Sequence, residues 1–287
     1  MRAVLADRTK RAVKVSVSAG LFAADTAAGS ALSSRRRGRR SAGVVLMYHD
    51  VAARHRVRFA RQCDEIVRLG RPAALSEVAT AAAGEWRVAV TFDDGFRSFA
   101  QIALPELDRC GIPSTMFVPT EWSRRSAVQH ANAEDSLTLV EPDGTPVPMT
   151  PHELAELPPS VELGSHSRTH AHLPTLGDDD LRTELVGSRK ELDEMTGAAV
   201  RYHAFPYGEH DARVLAIARE AGYERCYGIA PAEVRSAGDY VVGRVQVEPT
   251  DWPVEFRLKV LGAYRWMSWW MTARDRLWSK ASTGASS

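Results

Sequence analysis

From Val44 onward, short unbroken apolar runs alternate with longer stretches of helical periodicity, and this alternation constrains the fold more than any other feature. Val44–Tyr48, Arg87–Phe92 and Ser114–Val118 are too short for helices. They are continuous rather than alternating, as strands covered on both faces are. Further strands are expected at Val161–Leu163, Tyr202–Phe205, Arg225–Ile229 and Val241–Val247. The spacing predicts helices over 55–70, 96–109, 178–196 and 211–221. Gly111, Gly197 and Gly222 follow three of these, where a left-handed stop is common. Strands alternating with helices build a parallel sheet with covering helices, an α/β fold. Residues 123–150 break the rhythm with Pro142, Gly144, Pro146 and Pro148, and are expected to form a long surface loop.

The two ends differ from this body. Residues 1–42 carry ten Lys/Arg against two Asp, including Arg35-Arg36-Arg37 and Arg39-Arg40; this net of +8 leaves −7 for the remainder of a chain whose total is +1. A mildly acidic body argues against a nucleic-acid groove. The basic arm is either a solvated tail or a contact for anionic lipid. As an export signal it is weak: Val15–Ala24 is short and spotted with Ser16, Ser18 and Gly20, and arginines follow it. No run reaches the roughly 18 apolar residues of a spanning helix. Residues 254–287 begin with an amphipathic pattern through Trp278, rich in Trp and Arg, read as a covering helix or an interfacial one. Cys63, Cys110 and Cys226 form no CxxC pair, which excludes a zinc ribbon and a redox dithiol. Unpaired cysteines point to a reduced compartment. The expected location is cytoplasmic, with a peripheral place at the inner membrane face as an open alternative and export the lesser one.

Three strand ends carry chemistry. Asp93 and Asp94, in Thr91-Phe92-Asp93-Asp94-Gly95, are adjacent carboxylates whose burial needs a cation or hydrogen bonds to compensate. His166 and His170, in Ser165-His166-Ser167-Arg168-Thr169-His170, are four apart and on one helical turn would face the same way. With Asp94 they offer two nitrogens and one oxygen to a divalent metal, zinc first, cobalt or nickel as alternatives. His172 is out of step and read as structural. Phe205-Pro206-Tyr207-Gly208 is a sharp turn able to aim a backbone N–H into a cleft. His49, at the end of the first strand, is either a proton donor or a satisfied buried histidine.

TFDDG, SHSRTH and FPYG, in this order and each after an apolar strand, resemble the polysaccharide deacetylase family, also called the NodB-homology group or carbohydrate esterase family 4. The opening LMYHDV is similar to the start of many bacterial members, and the resemblance covers roughly residues 44–250. It implies a distorted (β/α) barrel over residues 43–253 and removal of N-acetyl groups from a sugar in a polysaccharide or lipid-linked glycan, as in cell-envelope metabolism. It implies Asp93 as general base, Asp94, His166 and His170 as metal ligands, and the Tyr207 N–H facing the oxyanion. Two departures stand out. Many members carry Arg where this chain has Ala204, and a late histidine as general acid where this chain has none after His210. His49 is the substitute acid. Arg244, as a brace for Asp93, and Asp251-Trp252, as a remnant of a fourth motif, are weaker candidates. Hydrolysis of another non-peptide amide on the same fold, or glycan binding without turnover, are the alternatives.

Overall fold

A computed structural model describes residues 2–31, 42–81, 84–129, 138–234 and 238–268. Its strands are β1 (Ala42–Tyr48), β2 (Arg71–Pro72), β3 (Trp86–Phe92), β4 (Ser114–Val118), β5 (Val161–Ser165), β6 (Tyr202–Ala204), β7 (Arg225–Gly228), β8 (Val241–Gly243) and β9 (Val245–Gln246). Every ladder is parallel, in the order β8-β7-β6-β5-β4-β3-β1-β9, with β2 added at β3. Among the described residues β8 and β9, the two ends of this path, are not paired with each other. Yet a single residue, Arg244, separates them in the chain. A sheet whose first and last strands adjoin in sequence has to curl on itself, and the result is a distorted, nearly closed (β/α) barrel.

Strand periodicity sorts the apolar side chains into two sets. Val44, Leu46 and Tyr48 of β1, with Val88, Val90 and Phe92 of β3, pack outward under the helices against Phe59, Cys63, Ile66, Phe99 and Leu107. Val45, Ala89, Phe117, Tyr202, Ala204, Tyr227 and Val242 come from six different strands and form one cluster, as residues lining a barrel interior do. Gly164 of β5 makes room for this filling, since a Cβ there would lie 2.5 Å from the Phe117 ring. The expected helices are present at Arg56–Leu69, Leu104–Arg109, Asp178–Thr196 and Ala212–Glu220. A π-type segment, Phe99–Ala103, leads into the second of these, and another, Thr183–Gly187, lies within the third. Gly111, Gly197 and Gly222 have φ of 62°, 67° and 83°, the left-handed stops their positions predicted.

Two expectations need correction. Residues 123–150 are not one surface loop. Thr120–Gln129 is a helix, and Val147 and Met149 are buried. Prolines confined to the second half made the whole stretch read as loop, although Ser123–Gln129 has no helix breaker. The basic arm is not a solvated tail over its first part: Arg2–Ala31 is helical. Arg11, Val15, Ser18 and Phe22, at spacings of four, three and four, face the barrel. Val15 and Phe22 pack on the core, and Trp266 Nε1–H donates to Ser18 Oγ at 2.9 Å. Only two of these four positions are apolar, so hydropathy alone did not reveal the stripe. No described helix is long and apolar enough to cross a membrane. At the other end Pro253–Val260 is a helix, turns follow, and residues 266–268 are again helical. Arg35–Arg40 and the tryptophans at 269, 270 and 278 lie outside the described residues.

Arg11 bridges Glu255 and reaches Asp251 Oδ1 at 3.2 Å and the Thr250 carbonyl at 2.9 Å. Lys259 serves the same two carboxylates, at 2.7 Å and 3.2 Å. Arg11→Ala would leave one cation for two buried acids. A loss of about 1–3 kcal/mol of unfolding free energy is expected in urea denaturation of the full chain. An unchanged midpoint would show that the first helix is docked without contributing stability.

Candidate active site

Functional side chains collect at the carboxyl ends of the strands, as in other parallel α/β folds. Register sets the first three. Tyr48 of β1 lies opposite Phe92 of β3, and the Asp93 N–H donates to the Tyr48 carbonyl at 2.9 Å, so His49 and Asp93 leave the sheet side by side. Asp94 and Gly95 then turn with φ of 73° and 68°. A left-handed aspartate is uncommon, and here it sends two consecutive carboxylates to different partners.

Asp93 is buried, and Arg244 grips it with both ends of the guanidinium, Nη1 to Oδ1 at 2.6 Å and Nη2 to Oδ2 at 2.8 Å. Arg244 is wholly buried, lies 5.2 Å over the Phe117 ring and donates Nε–H to the Gly228 carbonyl at 3.3 Å. Burial pushes the Asp93 carboxyl up, but Arg244, with His166 and His49, outweighs it and holds it well below the ordinary range. Ala204 belongs to the same interior cluster as Phe117. Its small side chain is compatible with an arginine that arrives from the β8–β9 seam instead of from β6. The weaker candidate for the brace is therefore the one the structure brings in. Asp251 is engaged with Arg11 and Lys259 rather than with the Asp93–Arg244 pair.

Asp94 faces the histidines. Its Oδ1 lies 3.8 Å from His166 Nε2 and 3.6 Å from His170 Nε2. One ligand atom from each of the three residues falls within 4.8 Å of the others. His166 Nδ1 sits 2.7 Å from the Ala204 carbonyl. A carbonyl only accepts, so Nδ1 carries the proton and the Nε2 lone pair faces the carboxylates, with Asp93 Oδ2 at 3.8 Å as well as Asp94 Oδ1. Burial lowers His166 to about 4 and lowers His170 as well, keeping both imidazoles neutral. Burial, then the neighbouring Asp93 charge, raises Asp94 to about 6. Asp94 Oδ1 is buried without a hydrogen-bond partner. An orphaned carboxylate oxygen between two neutral imidazole nitrogens fits a divalent ion of the zinc type, whose ligands must be deprotonated.

The two histidines do not share a helical turn as their spacing suggested. They lie on a bent loop in which Ser167 and His170 have φ of 64° and 62°. Ser167 Oγ accepts the His170 N–H at 3.0 Å. Glu184, from the π-type segment, accepts from the Arg168 and Thr169 N–H groups, each at 2.8 Å, and from Thr169 Oγ1 at 2.7 Å. Sequence reasoning missed Glu184; π-bulges often occur at functional positions, but nothing local in the sequence announces one.

Tyr207, with φ of 58°, presents its ring to the edge of His170 at 4.7 Å and stacks on His172 at 4.0 Å. His172 is held by Glu209 at 2.8 Å, so it braces the rim, in keeping with a structural role. Trp122, also missed, covers His170 from another side at 5.1 Å between ring centres. Its helix, Thr120–Gln129, runs into the stretch expected to be loop from residue 123.

Over residues 81–226, half of the chain, the sequence matches the polysaccharide deacetylase family, and the chain belongs to that family. YxkH, a Bacillus subtilis (strain 168) protein that carries the polysaccharide deacetylase name, is 25% identical over 163 residues, 56% of this chain and 52% of YxkH. The match thus spans about half the length of that curated relative. Among solved structures, the Streptococcus pyogenes deacetylase PplD in complex with acetate is similar with a TM-score of 0.62 and 20% identity, over 76% of this chain and 98% of PplD. IcaB from Ammonifex degensii is similar with a TM-score of 0.63 and 22% identity, over 79% of this chain and 98% of IcaB. These likenesses confirm the fold expected from the motifs.

Removing Arg244 would strand a buried carboxylate. Arg244→Met should cost about 3–5 kcal/mol in denaturant unfolding at neutral pH; burial then lifts the Asp93 carboxyl above its ordinary range, and part of the loss is regained as the pH falls from that raised value toward the ordinary one, where the folded chain takes up a proton. Zinc uptake by the chelator-stripped chain should change little between pH 7 and 8. It should weaken toward about tenfold per pH unit as Asp94 protonates below its raised pKa of about 6. Uptake that already falls steeply from pH 8 to 7 would assign the competing proton to another group.

Proposed function

We propose that the chain is a divalent-metal-dependent hydrolase that removes N-acetyl groups from an N-acetylated sugar in a polysaccharide or lipid-linked glycan. The observation that carries this reading is the Asp94–His166–His170 cluster set beside the Arg244-held Asp93 in a chain of the polysaccharide deacetylase family. Asp94, His166 and His170 would hold the ion, with zinc best suited to the donor set and cobalt or nickel as alternatives. An ion bound there supplies Lewis-acid polarisation of the acetyl carbonyl and lowers the pKa of a water.

Asp93 is the proton acceptor of this scheme. Arg244 keeps it ionised and fixes its plane, so no reorganisation is needed when the proton arrives. So acidic a carboxylate accepts a proton only from an acidified water, which makes the base and the Asp94–His166–His170 cluster mutually dependent. The backbone N–H of Tyr207 is assigned to the oxyanion that develops on the acetyl oxygen. His49, beside Asp93 at the end of β1, is assigned the proton that lets the sugar amine leave. Acetate bound to PplD is the product expected of such chemistry in a protein of similar fold.

Asp93→Asn and His49→Gln should each reduce acetate release from an N-acetylated oligosaccharide at least about 100-fold while zinc content stays at the wild-type level. His170→Ala should lose both. Full acetate release by Asp93→Asn would remove Asp93 as the base.

A further inference from the structure

A cleft of about 740 Å³ opens between the Thr120–Gln129 helix and the 141–148 arm. Its size falls within the ~300–1,000 Å³ of small-ligand sites. The Asp94–His166–His170 cluster lies outside it, but Trp122 belongs to both: it lines the cleft and covers His170 at 5.1 Å. Phe96, directly after the Asp-Asp-Gly turn, stands 6.4 Å from Trp122 with the two rings tilted by 30°. Both rings are half-buried, and Pro148 continues the apolar wall. Arg125, Gln129 and Asp143 add polar groups.

The wall is prefabricated. Met149 N–H donates to the Gly95 carbonyl at 2.8 Å and Arg97 N–H to the Val147 carbonyl at 2.8 Å. Ser123 and Ser126 donate their hydroxyls to the Met149 and Pro148 carbonyls at 2.7 Å and 2.6 Å. The arm is thereby stitched to the segment that carries Asp93 and Asp94 and to the helix that carries Trp122.

We propose that this cleft is a sugar-binding subsite that holds the residue next to the one being deacetylated, in an uncharged N-acetylhexosamine chain. The proposal rests on the deacetylase reading and names which part of the glycan is recognised beyond the acetyl group. A pyranose ring has an apolar C–H face that lies against aromatic rings and a polar edge of hydroxyls and amides, the pairing that Phe96, Trp122 and the polar groups offer. Among the described residues, Glu141 and Asp143 against Arg125 give the lining no excess of positive charge, which favours a neutral chain over a polyanionic one. Because Trp122 is shared, a ligand filling both places must be an oligomer.

The test is calorimetric binding of N-acetylglucosamine and of its soluble pentamer to the zinc-loaded full chain, with acetate release measured alongside. The pentamer should bind at least about tenfold more tightly than the monomer. Phe96→Ala and Arg125→Ala should each reduce that preference several-fold with zinc content unchanged. Arg125 touches none of the reacting groups, and its exposed position makes a folding defect a poor explanation of any loss. Equal affinity for monomer and pentamer, no pentamer binding, or an intact preference in both variants would overturn the subsite. Pentamer-selective binding without acetate release would leave the subsite standing and remove deacetylation of this glycan. Acetate release indifferent to chain length and to both variants would do the reverse.

Discussion

The bidentate pair between Arg244 and Asp93 ties the closure of the barrel to its chemistry. Arg244 is the one residue between β8 and β9, the two ends of the sheet, and its guanidinium crosses the interior over Phe117 to the end of β3. Desolvating both charges costs several kcal/mol per ion, and their attraction offsets this only with good geometry and further hydrogen bonds. Two short parallel bonds and the Gly228 carbonyl provide that geometry. The seam must therefore close in one register for the pair to form. A close approach at the seam acts in the same direction: a Cβ at Gly243 would lie 1.8 Å from the Ala230 carbonyl oxygen, so only glycine fits beside Arg244.

From this anchor the electrostatics of the neighbouring residues follow. Two adjacent carboxylates would ordinarily share a fate, but here their environments push them apart. Asp93 has the arginine and stays charged; Asp94 has burial and the charge of Asp93, and its pKa rises. Sites that place two titratable groups in opposite states are the ones that divide acid, base and ligand roles. Ala204 contributes twice, through a small side chain in the arginine's interior cluster and through the carbonyl that fixes the His166 tautomer.

Much of this was legible in the sequence because it is local. Continuous apolar runs marked β1, β3 and β4, helix-terminating glycines marked three stops, and the motif residues sit at strand ends where a parallel sheet gathers them. What escaped is long-range or masked by composition. Arg244 was only a weaker candidate for the Asp93 brace, because nothing in its vicinity says that it lies against a residue 151 positions away. The docked stripe of the first helix is half polar, so it carries no strong apolar period. Trp122 stands just before the 123–150 stretch, and nothing in its local sequence says that its ring reaches a histidine 48 positions further on. The His166–His170 spacing gave the right pair for the wrong reason, since a bent loop brings them together where a helical turn was expected.

That loop exposes a broader feature of the site. Among the described residues, the non-glycine positions with positive φ are Asp94, Ser167, His170 and Tyr207, all within or beside the candidate site. Such conformations cost of order 1 kcal/mol each and persist only where the surroundings over-determine them. The surroundings here are specific. Glu184 grips the loop between the histidines, Ser167 caps the His170 N–H, and His172 and His170 hold the Tyr207 ring from its face and its edge. The strain is thus carried by residues of the candidate site, and it is balanced by hydrogen bonds and ring contacts from the residues beside them. A scaffold that concentrates its unfavourable backbone in this way fixes the directions of the side chains beside it in advance, and such preorganisation is the condition under which polar groups act on a substrate without reorganisation.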